Sequence, residues 1–412
     1  FLLSVALQVC AQQKNYDFQE GKLFYKITDA TKQYVQVTTE LDELLEATGT
    51  LYNSPIKGDV AIPANVNYQG KQYTVTGIGD NAFGGCTQVT SVSMPASITS
   101  LGEQVFLSCT GLKRITVDAN NTVLKDVDGV LFDKSGNKLI AYPNMRAANY
   151  DIPEGTVELG AASFFMCNEI KNINIPPTLK KIGMLAFGIC SKMNEVTIPE
   201  TVTDLGDFAF YNCTGLEKAI IKANISELKR YMFSRCTALK EVSLPSTIEF
   251  IRTWAFGSCA AMKNIKLPDN LKGIEAEAFN GCETLSEITL PASLEQIGMY
   301  TFDGCKQLKC ITCLRDTPLK GAAMGAGVFE NVDKIACELK VPKGHRNEYA
   351  EAEQWGDFTR ISEHDLSGIS TIISQGSNTQ TTIFTINGQR LPNNIQPSHG
   401  IYIINGKKVC VK

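Results

Sequence analysis

From residue 86 to residue 305, apolar and polar positions follow a figure that repeats every 23 residues, with one interruption. Each repeat reads L-x-x-I-x-L-P, then I-x-x-I-G, then A-F-x-x-C, as in LSEITLPASLEQIGMYTFDGC. The first part alternates like a half-buried strand, placing Leu285, Ile288 and Leu290 inward and Glu287 and Thr289 outward. The prolines that follow it (Pro176, Pro199, Pro245, Pro268, Pro291) have no N–H to give to a sheet ladder, so they end the strand at a corner. Gly183, Gly206 and Gly298 mark a second corner. One such coil cannot bury its own apolar face. It must stack on its neighbours, strand upon strand at about 4.8 Å per coil, and the pattern predicts a β-rich solenoid with one stacked parallel sheet.

Stacking in register also explains the cysteines. Cys86 and Cys109, then Cys167, Cys190, Cys213, Cys236, Cys259, Cys282 and Cys305, fall one per coil, each three residues after a phenylalanine. Phe and Cys then form internal ladders, with Cys as a small buried hydrophobe and weak donor. Disulfides between adjacent coils are disfavoured, because parallel side chains make the required dihedral awkward and the run from Cys167 to Cys305 holds seven cysteines, an odd number. Cys313 with Cys337 is the one pairing to consider, since both leave the period. Zinc at Cys305, Cys310 and Cys313 is also disfavoured: no second C-x-x-C follows, and alternation points Cys310 and Cys313 to opposite faces. No metal or other cofactor is expected.

The interval from Cys109 to Cys167 holds 35 residues beyond one period, including DVDGVLFDKSGNKLIAYP. Apolar runs on either side of Asp133 to Asn137 predict a β-hairpin built into one coil, near 118–150. The opening FLLSVALQVCAQQ reads as the tail of a signal peptide at 1–11, cleaved after Ala11; lipidation of Cys10 is disfavoured by Gln8 and Val9 before it. No other apolar run approaches the roughly 20 residues needed to span a bilayer. Residues 362–412 form a Ser/Thr/Gln/Asn-rich linker followed by the short β segments TIFTI and GIYIINGKKVCVK.

Composition narrows the function. Lys plus Arg number 39 against 43 for Asp plus Glu, a formal charge of −4, so no basic excess exists to neutralise nucleic acid. The three histidines (His345, His364, His399) all lie in the last fifth of the chain, leaving the coils without a proton-transfer group or a base to activate a cysteine. An enzyme is not expected.

The coil motif, seen in LKKIGMLAFGICSKMNEVTIP and its further copies, resembles the BspA-type leucine-rich repeats of bacterial and protist surface proteins. The resemblance implies a right-handed leucine-rich repeat array capped at both ends: an N-terminal β-rich cap at 12–62, the solenoid at 63–361, and a C-terminal cap at 338–361 in which Tyr349, Trp355 and Phe358 cover the last open face. Lys222 in place of the corner proline and Arg252 in place of the corner glycine depart from the motif. Asn387-Gly388-Gln389-Arg390 and Gly400-Ile401-Tyr402-Ile403 resemble the C-terminal sorting segments of proteins exported by the Bacteroidetes-type outer-membrane machinery.

The family resemblance implies a non-catalytic, exported protein, at the cell surface or extracellular, that binds a protein or glycan ligand in adhesion and acts as a monomer. A passive scaffold is the bland alternative and an extracellular hydrolase the remote one. Candidate ligand contacts are the outward strand positions Arg114, Asn172, Glu195, Lys218, Glu241, Asn264 and Glu287, a polar line mixed in sign and free of aromatics. Glu195, Glu241 and Glu287 fall on alternate coils, about 10 Å apart, too regular for an acid–base pair.

Overall fold

The computed structural model describes residues 14–40 and 54–364, and the backbone of three further strands, Ile383–Thr385, Gly400–Ile404 and Lys407–Val411, which form an antiparallel sheet. Residues 1–11, where a signal peptide is expected, and most of the linker and tail lie outside the described residues.

Each coil is held to the next by three columns of backbone hydrogen bonds. The first column is the parallel ladder of the L-x-x-I-x-L strands, as in Glu195–Ile198, Lys218–Ile221 and Glu241–Ser243. The second joins the two-residue strands before the glycine corner, such as Glu158–Leu159, Lys181–Ile182 and Asp204–Leu205. The third runs along the phenylalanines: the N–H of Phe187, Phe210, Phe233, Phe256 and Phe279 each donates to the next coil, for example Phe256 to the Ala278 carbonyl at 2.8 Å. Between the strands, the corner proline's carbonyl accepts the N–H three residues on, as Pro199 does from Val202 at 3.1 Å.

Interruptions in the columns are staggered. The second ladder stops between Leu205 and Leu228, in the coil where Lys222 replaces the corner proline, but the first ladder runs through that coil unbroken. The first ladder stops between Asn172–Asn174 and Glu195–Ile198 and again at residues 263–268, and in both places the second continues, through Lys181–Ile182 and from Phe250–Ile251 to Gly273–Ile274. The phenylalanine column bridges all three gaps.

The core follows from this register. Phe164, Phe187, Phe210, Phe233, Phe256, Phe279, Phe302 and Phe329 form one continuous stack with centroid spacings of 5.0 to 5.9 Å. Tyr142 opens it and the edges of Trp355 and Phe358 close it, each 5.1 Å from Phe329. Every ladder cysteine from Cys190 to Cys305 points its thiol at the phenylalanine carbonyl of the coil before, at 3.0 to 3.4 Å. Each of these carbonyls already accepts the backbone N–H of the cysteine three residues on, and the thiol uses its second lone pair, which a methyl group of similar size could not.

Hairpin strands Val130–Asp133 and Lys138–Ala141 join two cores. Leu131 packs with the N-terminal cluster, while Val130 and Phe132 pack with the solenoid cluster, so one strand is buried on both faces. At the N-terminal side, Phe18–Glu20, Leu23–Asp29 and Tyr34–Thr38 form an antiparallel run whose last strand pairs in parallel with Lys71–Ile78.

Cys313 and Cys337 are free thiols, which corrects the pairing considered above. Cys310 lies beside Glu338 in the parallel ladder, so Cys313 falls level with Val341, four positions past Cys337. Burial raises the thiol pKa to about 11 at Cys86 and about 12 at Cys282, keeping these two thiols protonated. Alkylation of the native chain followed by peptide mapping should therefore label half-buried Cys310 and spare Cys167 to Cys305. After denaturation each ladder cysteine should react; ladder cysteines that stay blocked then would contradict the donor role.

Candidate binding surface

The structure sets the outward strand positions in a line along the array. Glu195, Lys218 and Glu241 are direct neighbours in the ladder, Arg114 and Asn172 stand on strands Arg114–Val117 and Asn172–Asn174, and Glu287 lies beside Cys310. Asn264 belongs to the coil without a strand. The line is self-paired in places: Lys218 meets Glu241 at 2.9 Å, a hydrogen bond that raises the lysine pKa, and Asn172 donates to Asn149 at 2.7 Å. Alternating signs on a flat ladder do not converge on a common point.

A second surface lies in the turn before each phenylalanine, where the chain takes a left-handed conformation at every coil. Asn81, Gln104, Ala162, Leu185, Glu277 and Tyr300 occupy this position elsewhere, but the middle coils place Phe208, Tyr231 and Trp254 there in succession, with φ of 59°, 55° and 58°. Left-handed φ is unfavourable for bulky side chains, so backbone preference does not account for three aromatic residues in a row. All three are half-buried and they stack: Phe208 on Tyr231 at 4.5 Å with 4° between planes, Tyr231 on Trp254 at 6.0 Å with 5°. Tyr211 meets Phe208 edge-on at 5.7 Å, and the Arg235 guanidinium lies over the Tyr211 ring at 5.9 Å. Gly257 leaves room for the indole; a Cβ there would stand 2.0 Å from the Trp254 ring.

The same coils depart from glycine at the second corner. A Cβ on Gly206 would stand 2.3 Å from the Met184 nitrogen of the preceding coil, yet Lys229, Arg252 and Glu275 hold this position in the next three coils. Their charges pair along the array. Arg252 bridges Glu227 and Glu275, the latter at 2.6 Å, Lys229 reaches Glu227, and the Arg252 guanidinium covers the Phe250 ring at 4.8 Å. Burial pushes the pKa of Glu227 and Glu275 up, but hydrogen bonds from Lys229 and Arg252 outweigh it and both carboxyls are held below their ordinary value.

Reading the strands alone missed this surface. Phe208, Tyr231 and Trp254 recur at 23 residues and are visible in the sequence, but they lie in a turn, where alternation does not say which way a side chain points.

Stacked parallel coils with a polar strand face and a patch of aromatic and charged residues on the turns define a leucine-rich repeat scaffold. The family model of the BspA type leucine rich repeat region matches in six copies, over residues 64–135, 138–263 and 255–350, and the chain belongs to that family. Among solved structures, a leucine-rich repeat protein from Eubacterium ventriosum is 22% identical, with a TM-score of 0.53 over 69% of this chain and 93% of that one. A leucine rich cell surface protein from Faecalibacterium prausnitzii (20% identical, TM-score 0.45) and the pneumococcal vaccine antigen PcpA (17%, 0.48) each match 84% of this chain and 98% of their own. Identities this low bear on the fold alone. No curated protein matches the chain.

Proposed function

We propose that the protein is a non-catalytic binding protein of the cell surface or extracellular space, whose array engages an extracellular protein or glycan and so mediates adhesion. The observation that carries this reading is the stacked patch of Phe208, Tyr231 and Trp254 with Tyr211 and Arg235. Binding hot spots favour Trp, Tyr and Arg, and this patch brings all three together on an array whose strand face is polar. The strand-face line Arg114, Asn172, Glu195, Lys218, Glu241, Asn264 and Glu287 serves in this reading as a solvated flank, with the array acting as a monomer. Family membership, the apolar opening segment and the sorting-like tail support export and display.

The test is binding of the purified full chain to a panel of immobilised extracellular matrix proteins and glycans. Saturable binding to at least one, without cleavage of it and weakened at least tenfold by the paired change Tyr231→Ala and Trp254→Ala, is expected. Absence of saturable binding across the panel would leave the chain a passive spacer, and turnover of a panel member would make it an enzyme.

A further inference from the structure

We propose that the patch around Tyr231 takes acidic peptide segments, with Arg230 and Arg235 gripping carboxylates beside the stacked rings; this rests on the binding reading above and adds the chemistry of the partner. The first argument is charge. Five of the other cations on these coils are neutralised: Lys229 by Glu227, Arg252 by Glu227 and Glu275, Lys218 by Glu241, Lys240 by Glu217 and Lys272 by Glu249; Lys222, at the proline corner, and Lys263 and Lys266, in the strand segment of their coil, stand at other positions of the repeat than the aromatic turns. Arg230 and Arg235 are exposed, and among the described residues neither guanidinium has a carboxylate partner. Asp207, the acid opposite Arg230 in the preceding coil, accepts the backbone N–H of Arg230 at 3.0 Å.

The second argument is ring geometry. Tyr231 has one face against Phe208 and the other against Trp254. Stacking a sugar requires an open ring face, and both faces of the central ring are taken. What Tyr231 offers is its edge, the electropositive part of an aromatic ring, which attracts an anion as the guanidinium groups do. The Arg235 guanidinium is held over the Tyr211 ring at 5.9 Å, and its planar N–H fork suits bidentate pairing with a carboxylate. Two cations and a positive ring edge on one turn select a partner rich in Asp or Glu over a neutral glycan.

Fluorescence anisotropy with a labelled poly-glutamate peptide, the full chain and moderate salt tests this, with heparin as the sulfated-glycan control. The expected result is saturable peptide binding that weakens about tenfold for Arg230→Gln and for Arg235→Gln, as loss of one charge-assisted pair does. Arg235→Lys should fail to restore it, because a point charge lacks the planar fork. Both arginines are exposed, so an unchanged melting curve should show the variants folded. Variants that bind the peptide as tightly as the parent would overturn the proposal, as would heparin binding without peptide binding. Either result leaves the general binding reading to stand or fall on the panel of matrix proteins and glycans.

Discussion

Replacing Phe256 with alanine should destabilise the middle coils by about 3 to 5 kcal/mol, the range for truncating a fully buried aromatic. Phe256 has no exposed surface and is stacked between Phe233 at 5.7 Å and Phe279 at 5.3 Å. Its carbonyl accepts the Cys282 thiol at 3.2 Å, and its N–H bonds to the next coil. Truncation leaves the backbone bonds possible but opens a gap that the flanking rings can close only by shifting along the array. Because a coil touches only its neighbours, the loss should stay local. Hydrogen exchange should accelerate between residues 233 and 282 and stay near the parent rate around Phe164 and Phe187. Equal acceleration along the whole array would show that the coils unfold as one unit and that the one-dimensional account is mistaken.

The local character of that effect reflects what the sequence made legible. The period, inward strand residues, buried Cys and Phe ladders and family all follow from residues that repeat at 23, since register turns a one-dimensional pattern into contacts. Three things did not follow. The glycine corner reads as a turn signal, but its physical reason is close approach: a Cβ on Gly298 would stand 2.3 Å from the Ala276 nitrogen of the coil before. Without that geometry, Arg252 is a lone departure from the motif rather than the centre of a charge row with Glu227, Lys229 and Glu275. The aromatic patch was missed for a related reason. Strand alternation assigns faces to Glu195 or Lys218, whereas Phe208, Tyr231 and Trp254 stand at left-handed turn residues, whose direction is set by the backbone. Where one hairpin was expected, Val130–Asp133 pairs with Lys138–Ala141 about a turn and Leu124–Val127 adds a third antiparallel strand; the burial of Val130–Asp133 on both faces, which makes it a joint between two cores, depends on contacts distant in sequence.

Trp355→Ala should be as costly as the change at Phe256 but should act from the end of the array. Trp355 is 2% exposed, meets Phe329 edge-on at 5.1 Å and Tyr349 at 5.5 Å, and donates its indole N–H to the Leu319 carbonyl at 3.0 Å. Alanine removes the largest side chain covering the last ring of the stack and leaves a buried carbonyl without its donor, for a loss of about 3 to 5 kcal/mol. The interior coil at Phe256 keeps a neighbour on each side after truncation; among the described residues, Phe329 is followed in the stack by Trp355 and Phe358, which leaves Phe358 the remaining ring on that face. A solenoid end stripped of its cap exposes apolar surface and frays. Exchange should therefore rise most steeply from residue 361 back to Phe302 and fade towards Phe256, with association of chains at high concentration. Trp355→Phe, which keeps a ring but no N–H, should cost about 1 to 3 kcal/mol for the buried Leu319 carbonyl left without its donor. If Trp355→Ala leaves exchange at Phe302 and Phe329 unchanged, the segment after Glu338 is an ornament and the array is stable with its last face open.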